Sequence, residues 1–194
     1  SDDSVMTVDD LVEAAKRAGL DGVCLTEHDR FWQEDEVASL SRRHGILVLG
    51  GCELTTEEGH LLVFGLKEYE FGMHSARFVK KLVDRNGGTM MVAHPYRRVL
   101  KVDDFAVSVS EAVKNPVFGF VDAVEGCNGR GTEMENEFAR QLGDKLSLRL
   151  VGGSDAHRLE DVGTCATEFE QDINTLDDLI RSIHEGCFRP VRLK

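Results

Sequence analysis

The feature that most constrains this 194-residue chain is an alternation of strand-like apolar runs with helix-period segments, in which the strands end alike. The run 23–26 leads into Glu27-His28-Asp29, and 47–52 leads into Glu53. The runs 90–93 and 122–124 lead into His94 and Glu125, and 150–154 leads into Asp155-Ala-His157. Five strand ends therefore carry a carboxylate or an imidazole. Strands alternating with helices imply right-handed crossovers and a mostly parallel sheet. In a barrel of parallel strands the C-terminal ends converge on one face, where such folds build their sites. Glu, His and Asp are also the ligand set of divalent transition metals.

The local signals support that alternation. Thr7 followed by Asp10 starts a helix over 8–18, which Gly19 stops. Further helices are expected over 33–44, 75–85, 132–142 and 176–185, with a less regular helical segment over 103–115. Strands are expected over 22–26, 46–53, 61–64, 89–93, 121–124, 148–151, 165–169 and 188–193. The length and the absence of a linker or repeat predict one domain over 1–194.

Composition removes several function classes. Hydrophobic residues make up 41 % of the chain, enough for a core, yet no apolar run approaches the roughly 20 residues of a membrane span. Acidic residues outnumber basic ones 35 to 23, for a formal charge of −12. That balance opposes binding to nucleic acid or to an anionic membrane, but not to cations. The five cysteines stand apart with no CxxC pair, which argues against a disulfide framework and a cysteine zinc site and favours a reducing, cytoplasmic setting.

Two chelating pairs are expected. Asp155 and His157, two residues apart, would share a face of an extended strand. Glu53 and His60 would lie opposite each other if the segment between them forms a hairpin turn. His44 and His184 fall in the last turns of helices, where the helix dipole favours a cation, and His74 precedes a helix; all three read as structural. Arg97, one short loop past His94, and Arg130, past Glu125, could bind phosphate bidentately; salt bridges are the alternative role. Ser154, Asp155 and His157 are too close in sequence to form a nucleophilic triad, and no phosphate-loop signature is present.

The segments Leu25-Thr-Glu-His28-Asp29, Glu53 to His60, Ala93-His94-Pro95 and Gly153-Ser-Asp155-Ala-His157 resemble, in order, successive motifs of the PHP (polymerase and histidinol phosphatase) family. The opening Ser1-Asp-Asp3-Ser4 is similar to the tail of the first motif. The resemblance implies an α/β fold, a distorted (β/α)7 TIM-like barrel, with the first strand and its His-x-His pair missing from the chain as given. It implies two or three divalent ions (Mn, Fe or Zn) held by Asp3 (Asp2 if the register slips by one), His28, Glu53, His60, His94, Asp155 and His157.

The expected function is hydrolysis of a small-molecule phosphate ester, such as a nucleotide or a sugar or amino-alcohol phosphate, by a metal-activated hydroxide. Arg97 and Arg130 would bind the substrate, and Asp29 is the candidate acid for the leaving group. Two alternatives stand beside it: a non-catalytic regulatory or structural module, and a metal hydrolase acting on a C–N bond.

Overall fold

The computed structural model describes residues 6–97 and 99–194. Helices and strands alternate as the sequence implies: α1 (Val8–Arg17), β1 (Gly22–Leu25), α2 (Glu34–His44), β2 (Leu47–Gly50), β3 (Cys52–Thr56), β4 (Gly59–Phe64), α3 (Ala76–Asn86) and β5 (Thr89–Val92) come first. Then follow α4 (Phe105–Ala112), β6 (Ala123–Asn128), α5 (Glu133–Leu146), β7 (Arg149–Gly153), β8 (Cys165–Phe169), α6 (Leu176–Glu185) and β9 (Phe188–Arg192).

Helix ends follow from local chemistry. The Thr7 hydroxyl accepts the Asp10 N–H at 3.1 Å and so satisfies one of the donors left free at the start of α1. Thr132 and Glu135 form a reciprocal capping box at the start of α5. Gly45 ends α2 at φ 65°, a left-handed conformation that a Cβ would penalise.

The strands form a mixed sheet rather than a mostly parallel one. The order β3-β4-β5-β6-β7 is antiparallel at β3/β4 and β4/β5, and parallel at β5/β6 and β6/β7. The cause is a two-residue turn at Glu57-Glu58, which folds β4 straight back onto β3 where a parallel strand would need a crossover. β1 runs parallel to β2, and a parallel bridge from His28 to Glu53 continues that pairing into β3. The single strand expected over 46–53 is divided at Gly51, where a Cβ would lie 2.5 Å from the Phe64 ring. β8 and β9 form a separate antiparallel hairpin.

Among the described residues the strands do not close into a barrel. β1 pairs only with β2, and β7 only with β6. Residues of both strands line a cleft of about 1630 Å³ that runs up to the strand ends. The expected Asp3 ligand falls outside the described residues.

The main core lies between the sheet and α3, α4 and α5, where Val79, Val109, Phe138 and Leu142 are essentially inaccessible. Burying a side chain such as Phe138 contributes about 1.5–3 kcal/mol. α6 packs on the inner residues Phe64, Met91 and Val151, and α1 and α2 flank β1 and β2. With both sheet faces covered, the polar strand ends are directed to one rim. Among the described residues no helix is long and apolar enough to cross a membrane.

Candidate metal centre

Glu53, on β3, is the hub of the rim. Its Oε1 lies 2.9 Å from His60 Nδ1 and 2.9 Å from His94 Nε2. Its Oε2 is 3.7 Å from His28 Nε2. The three imidazoles meet edge to face, with ring centroids 5.1 Å apart for both His28–His60 and His60–His94. His60 reaches Glu53 by a different route from the one expected. The hairpin pairs Glu53 with Leu62 and Thr55 with His60, so the two ligands are diagonal neighbours on one face, not opposite residues.

A second group is joined to the first through Glu125, a strand-end carboxylate that the family resemblance does not mark as a ligand. Its Oε2 accepts the His94 backbone N–H at 2.8 Å and the Asn128 side-chain N–H at 3.0 Å. Asn128 Nδ2 also reaches Asp155 Oδ2 at 3.2 Å. Only the β-bulge makes Asn128 recognisable as part of this site. β6 slips register between Glu125 and Cys127, so Glu125 pairs with Val151 but Asn128 pairs with Gly153. Val151 and Gly153 share a face of β7, so the extra residue returns Asn128 to the face of Glu125.

Asp155 and His157 are close, but not through the expected geometry. β7 ends at Gly153, and Asp155 has φ 48°, so the pair lies on a turn and not on an extended strand. His157 Nδ1 lies 3.7 Å from Asp155 Oδ1 and 2.9 Å from its carbonyl oxygen. The two arginines lie at this end. Arg97 Nη2 donates to Asp155 Oδ2 at 2.8 Å, and Arg130 Nη1 is 2.9 Å from His157 Nδ1. Asp29 is exposed; its backbone N–H donates to the Glu53 carbonyl at 3.0 Å, and no hydrogen bond joins its carboxylate to a site histidine among the described residues. His44 is clamped by Asp9 and Glu13, and His184 faces Asp122 at 3.7 Å, both away from the rim.

The electrostatics separate the two buried carboxylates. Burial alone would raise the Glu53 pKa, but hydrogen bonds from His60 and His94 and the nearby imidazole charges outweigh it, holding the group well below the usual range. Glu125 is pushed up to about 7, chiefly by burial, with Asp155 and Glu53 adding repulsion against the bonds from Asn128 and His94.

The donor set fits a divalent cation. Ligand atoms of His28, Glu53 and His60 lie within 4.8 Å of one another. His28 Nδ1 is buried with no hydrogen-bond partner, a cost that proteins rarely carry without a ligand or water. The sequence argument against disulfides is corrected here by a bond between Cys127 and Cys165, whose Cα atoms are 6.2 Å apart. Wide sequence spacing did not prevent it, because β6 and β8 both pass beside β7.

An uncharacterised protein of Methanocaldococcus jannaschii is 28 % identical over 100 residues, covering 51 % of this chain and 58 % of that protein's length. The match thus spans little more than half of that relative. PsfC of Pseudomonas syringae superposes with a TM-score of 0.66 at 20 % identity, over 94 % of this chain and 81 % of PsfC. A Bifidobacterium adolescentis protein, provisionally named a metal-dependent phosphoesterase, gives 0.58 at 18 % identity, over 80 % and 84 % of the two chains. An amidohydrolase of Chromobacterium violaceum, with bound sulfate and no metal, gives 0.58 at 16 % identity, over 98 % and 94 %. A family model described as PHP-associated matches residues 133–187, from the start of α5 to just past α6.

Proposed function

We propose that this chain is a metal-dependent hydrolase of small-molecule phosphate esters. The observation that carries the reading is the convergence of His28, His60 and His94 on the single carboxylate of Glu53, with Asp155 tied to the same rim through Glu125 and Asn128 and His157 beside Asp155. His28, Glu53, His60, His94, Asp155 and His157 would hold the ions, with Asp3 as a further ligand. Bound there, divalent cations would bring the pKa of a water towards neutral and offset charge on the phosphoryl oxygens.

The chain's own groups account for the remaining roles. Glu53 keeps its proton off and so stays an acceptor for the imidazoles. Arg97 and Arg130 already contact ligand oxygen and nitrogen atoms, so a phosphate arriving between them would exchange one anionic or lone-pair partner for another. Their exposure leaves both guanidinium groups reachable from solvent. The amidohydrolase neighbour keeps a C–N hydrolase as the competing reaction.

The test is elemental mass spectrometry on chelator-free protein, followed by matched panels of phosphate esters and amides. Two or three Mn, Fe or Zn per chain with ester turnover, lost in Asp155→Asn, is the expected result. Metal-bound protein that cleaves only amides would reassign the reaction, and metal-free protein would end the hydrolase reading.

A further inference from the structure

The Cys127–Cys165 bond crosses the β7 end that carries the ligand loop, and its neighbours in sequence are residues that support the site. Because of the bulge in β6, Cys127 pairs with Gly152 and points to the opposite face from Asn128. β8 passes on that face: a Cβ on Gly152 would come 2.2 Å from the Ala166 carbonyl oxygen, and Thr167 Oγ1 bonds Gly152 N and O at 3.0 and 2.8 Å. Asn128, the residue after Cys127, donates to Asp155. Ser154, the residue before Asp155, donates through Oγ to the carbonyl of Cys165 at 3.1 Å and accepts the Gly163 N–H at 2.9 Å. The covalent link therefore holds β6 and β8 on either side of Gly153-Ser154-Asp155. The loop it closes spans 38 residues and contains Arg130, Asp155 and His157.

Two further facts bear on what the bond does. Asp155 sits at φ 48°, a conformation that a non-glycine residue keeps only when its surroundings enforce it. Cys127 is partly exposed whereas Cys165 is buried, so the bond can be reached from one side.

We propose that Cys127 and Cys165 form a reversible thiol–disulfide couple that controls the order of the 153–157 loop, and hence cation binding at the rim. The second part rests on the metal-hydrolase reading above. The oxidant is a low-molecular-weight disulfide such as glutathione disulfide. Each protein thiol loses its proton to solvent, and the expelled thiolates regain one each; the Cys127 thiolate attacks one sulfur of the small disulfide and expels a thiolate. The Cys165 thiolate then attacks the Cys127 sulfur and expels the second thiolate. One S–S bond forms and one breaks; two electrons pass from the protein to the small disulfide. Excess thiol reverses both steps.

The test compares the whole chain equilibrated with glutathione disulfide and with a phosphine reductant. Alkylation and peptide mapping read each cysteine, hydrogen exchange reads residues 152–161, and Mn2+ titration reads the rim. In the oxidised form Cys127 and Cys165 should resist alkylation together while Cys24, Cys52 and Cys187 remain thiols. Exchange over 153–157 should be slower, and Mn2+ should bind about tenfold more tightly, the scale on which supporting contacts tune metal sites. Cys127→Ser should behave as the reduced form under oxidant; if that variant does not fold, the two states of the native chain decide. Free Cys127 and Cys165 under oxidant, or equal exchange in both states, overturns the proposal. Redox-dependent exchange with Mn2+ bound by neither form supports the loop switch and overturns the metal reading beneath it.

Discussion

Replacing Glu53 by Gln isolates the central carboxylate while keeping its shape. The Glu53 side chain meets His60 and His94 at 2.9 Å each. A hydrogen bond to a charged group contributes about 1.5–3 kcal/mol against about 0.5–1.5 for a neutral pair, so the exchange costs about 1–1.5 kcal/mol per bond and about 2–3 in all. At about 2–4 °C per kcal/mol for a chain of this size, E53Q should melt about 4–12 °C lower without metal. Cation binding provides the sharper discrimination. Mn2+ at a hundred times its Kd stabilises the native chain by about 2.7 kcal/mol, or about 5–11 °C. If the variant binds about a hundredfold more weakly, the same Mn2+ adds only about 0.4 kcal/mol, or about 1–2 °C. The assay is a pair of thermal melts, with chelator and with Mn2+, monitored by circular dichroism. An equal Mn2+ shift in E53Q and the native protein would refute the role assigned to Glu53.

Two predictions concern regions away from that hub. The His44 imidazole lies between Glu13 at 2.8 Å and Asp9 at 2.6 Å, which raises its pKa above 6.5 and lowers those of Asp9 and Glu13 below 3.8 and 4.5. The raised His contributes below its unfolded value and loses that contribution as pH rises through its folded one; the lowered carboxylates contribute above their unfolded values and lose it as pH falls. H44Q should therefore lose most Tm between about pH 4.5 and 6.5, and much less at pH 9, in a series of melts; a pH-independent deficit would remove the ion pair from the account. Gly152→Ala would place a methyl 2.2 Å from a β8 carbonyl oxygen, which no rotamer change can relieve. Urea denaturation should show a loss of about 1–3 kcal/mol, and an unchanged midpoint would mean that β8 does not rest on β7.

What the sequence revealed, and what it did not, divides along physical lines. Several helix ends were legible because capping is local: Thr7 caps α1, and Gly45 and Gly87 end α2 and α3, but α5 runs to Leu146, four residues past its expected end, because it stops at Ser147 rather than at a glycine. β8 and α6 carry the bounds that their apolar runs imply. Register was not legible. Whether Glu53 faces His60 or Leu62 depends on where the hairpin turns, and the Glu57-Glu58 turn carries none of the Asn-Gly or Asp-Gly signals that mark the tightest hairpins. The bulge at Gly126 was equally hidden, and with it the position of Asn128 and the meeting of Cys127 with Cys165. Pairings between residues far apart in sequence follow from packing, on which residue spacing is silent. That also explains why the polar strand ends were recognisable while the contacts among them were not.

The backbone at three of those strand ends shows how the chain is turned over the rim. Apart from Ser147, which caps α5, the described non-glycine residues with positive φ are Asp29, His94 and Asp155, at 54°, 30° and 48°. They follow β1, β5 and β7 in turn, and each carries or adjoins a candidate ligand. Left-handed φ turns the chain abruptly out of the strand direction and lets it carry functional side chains over the rim, at a cost of about 1–3 kcal/mol per residue. The compensation is visible at two of the three. The Asp29 N–H donates to the carbonyl of Glu53 at 3.0 Å, and the His94 N–H donates to the carboxylate of Glu125 at 2.8 Å. At the third, Asp155 is held through its side chain by Asn128 and Arg97. Glu125 therefore has a backbone role that a ligand role alone would not require. It holds the His94 turn and, through Asn128, links that turn to Asp155, so one hydrogen-bond network joins the two halves of the rim.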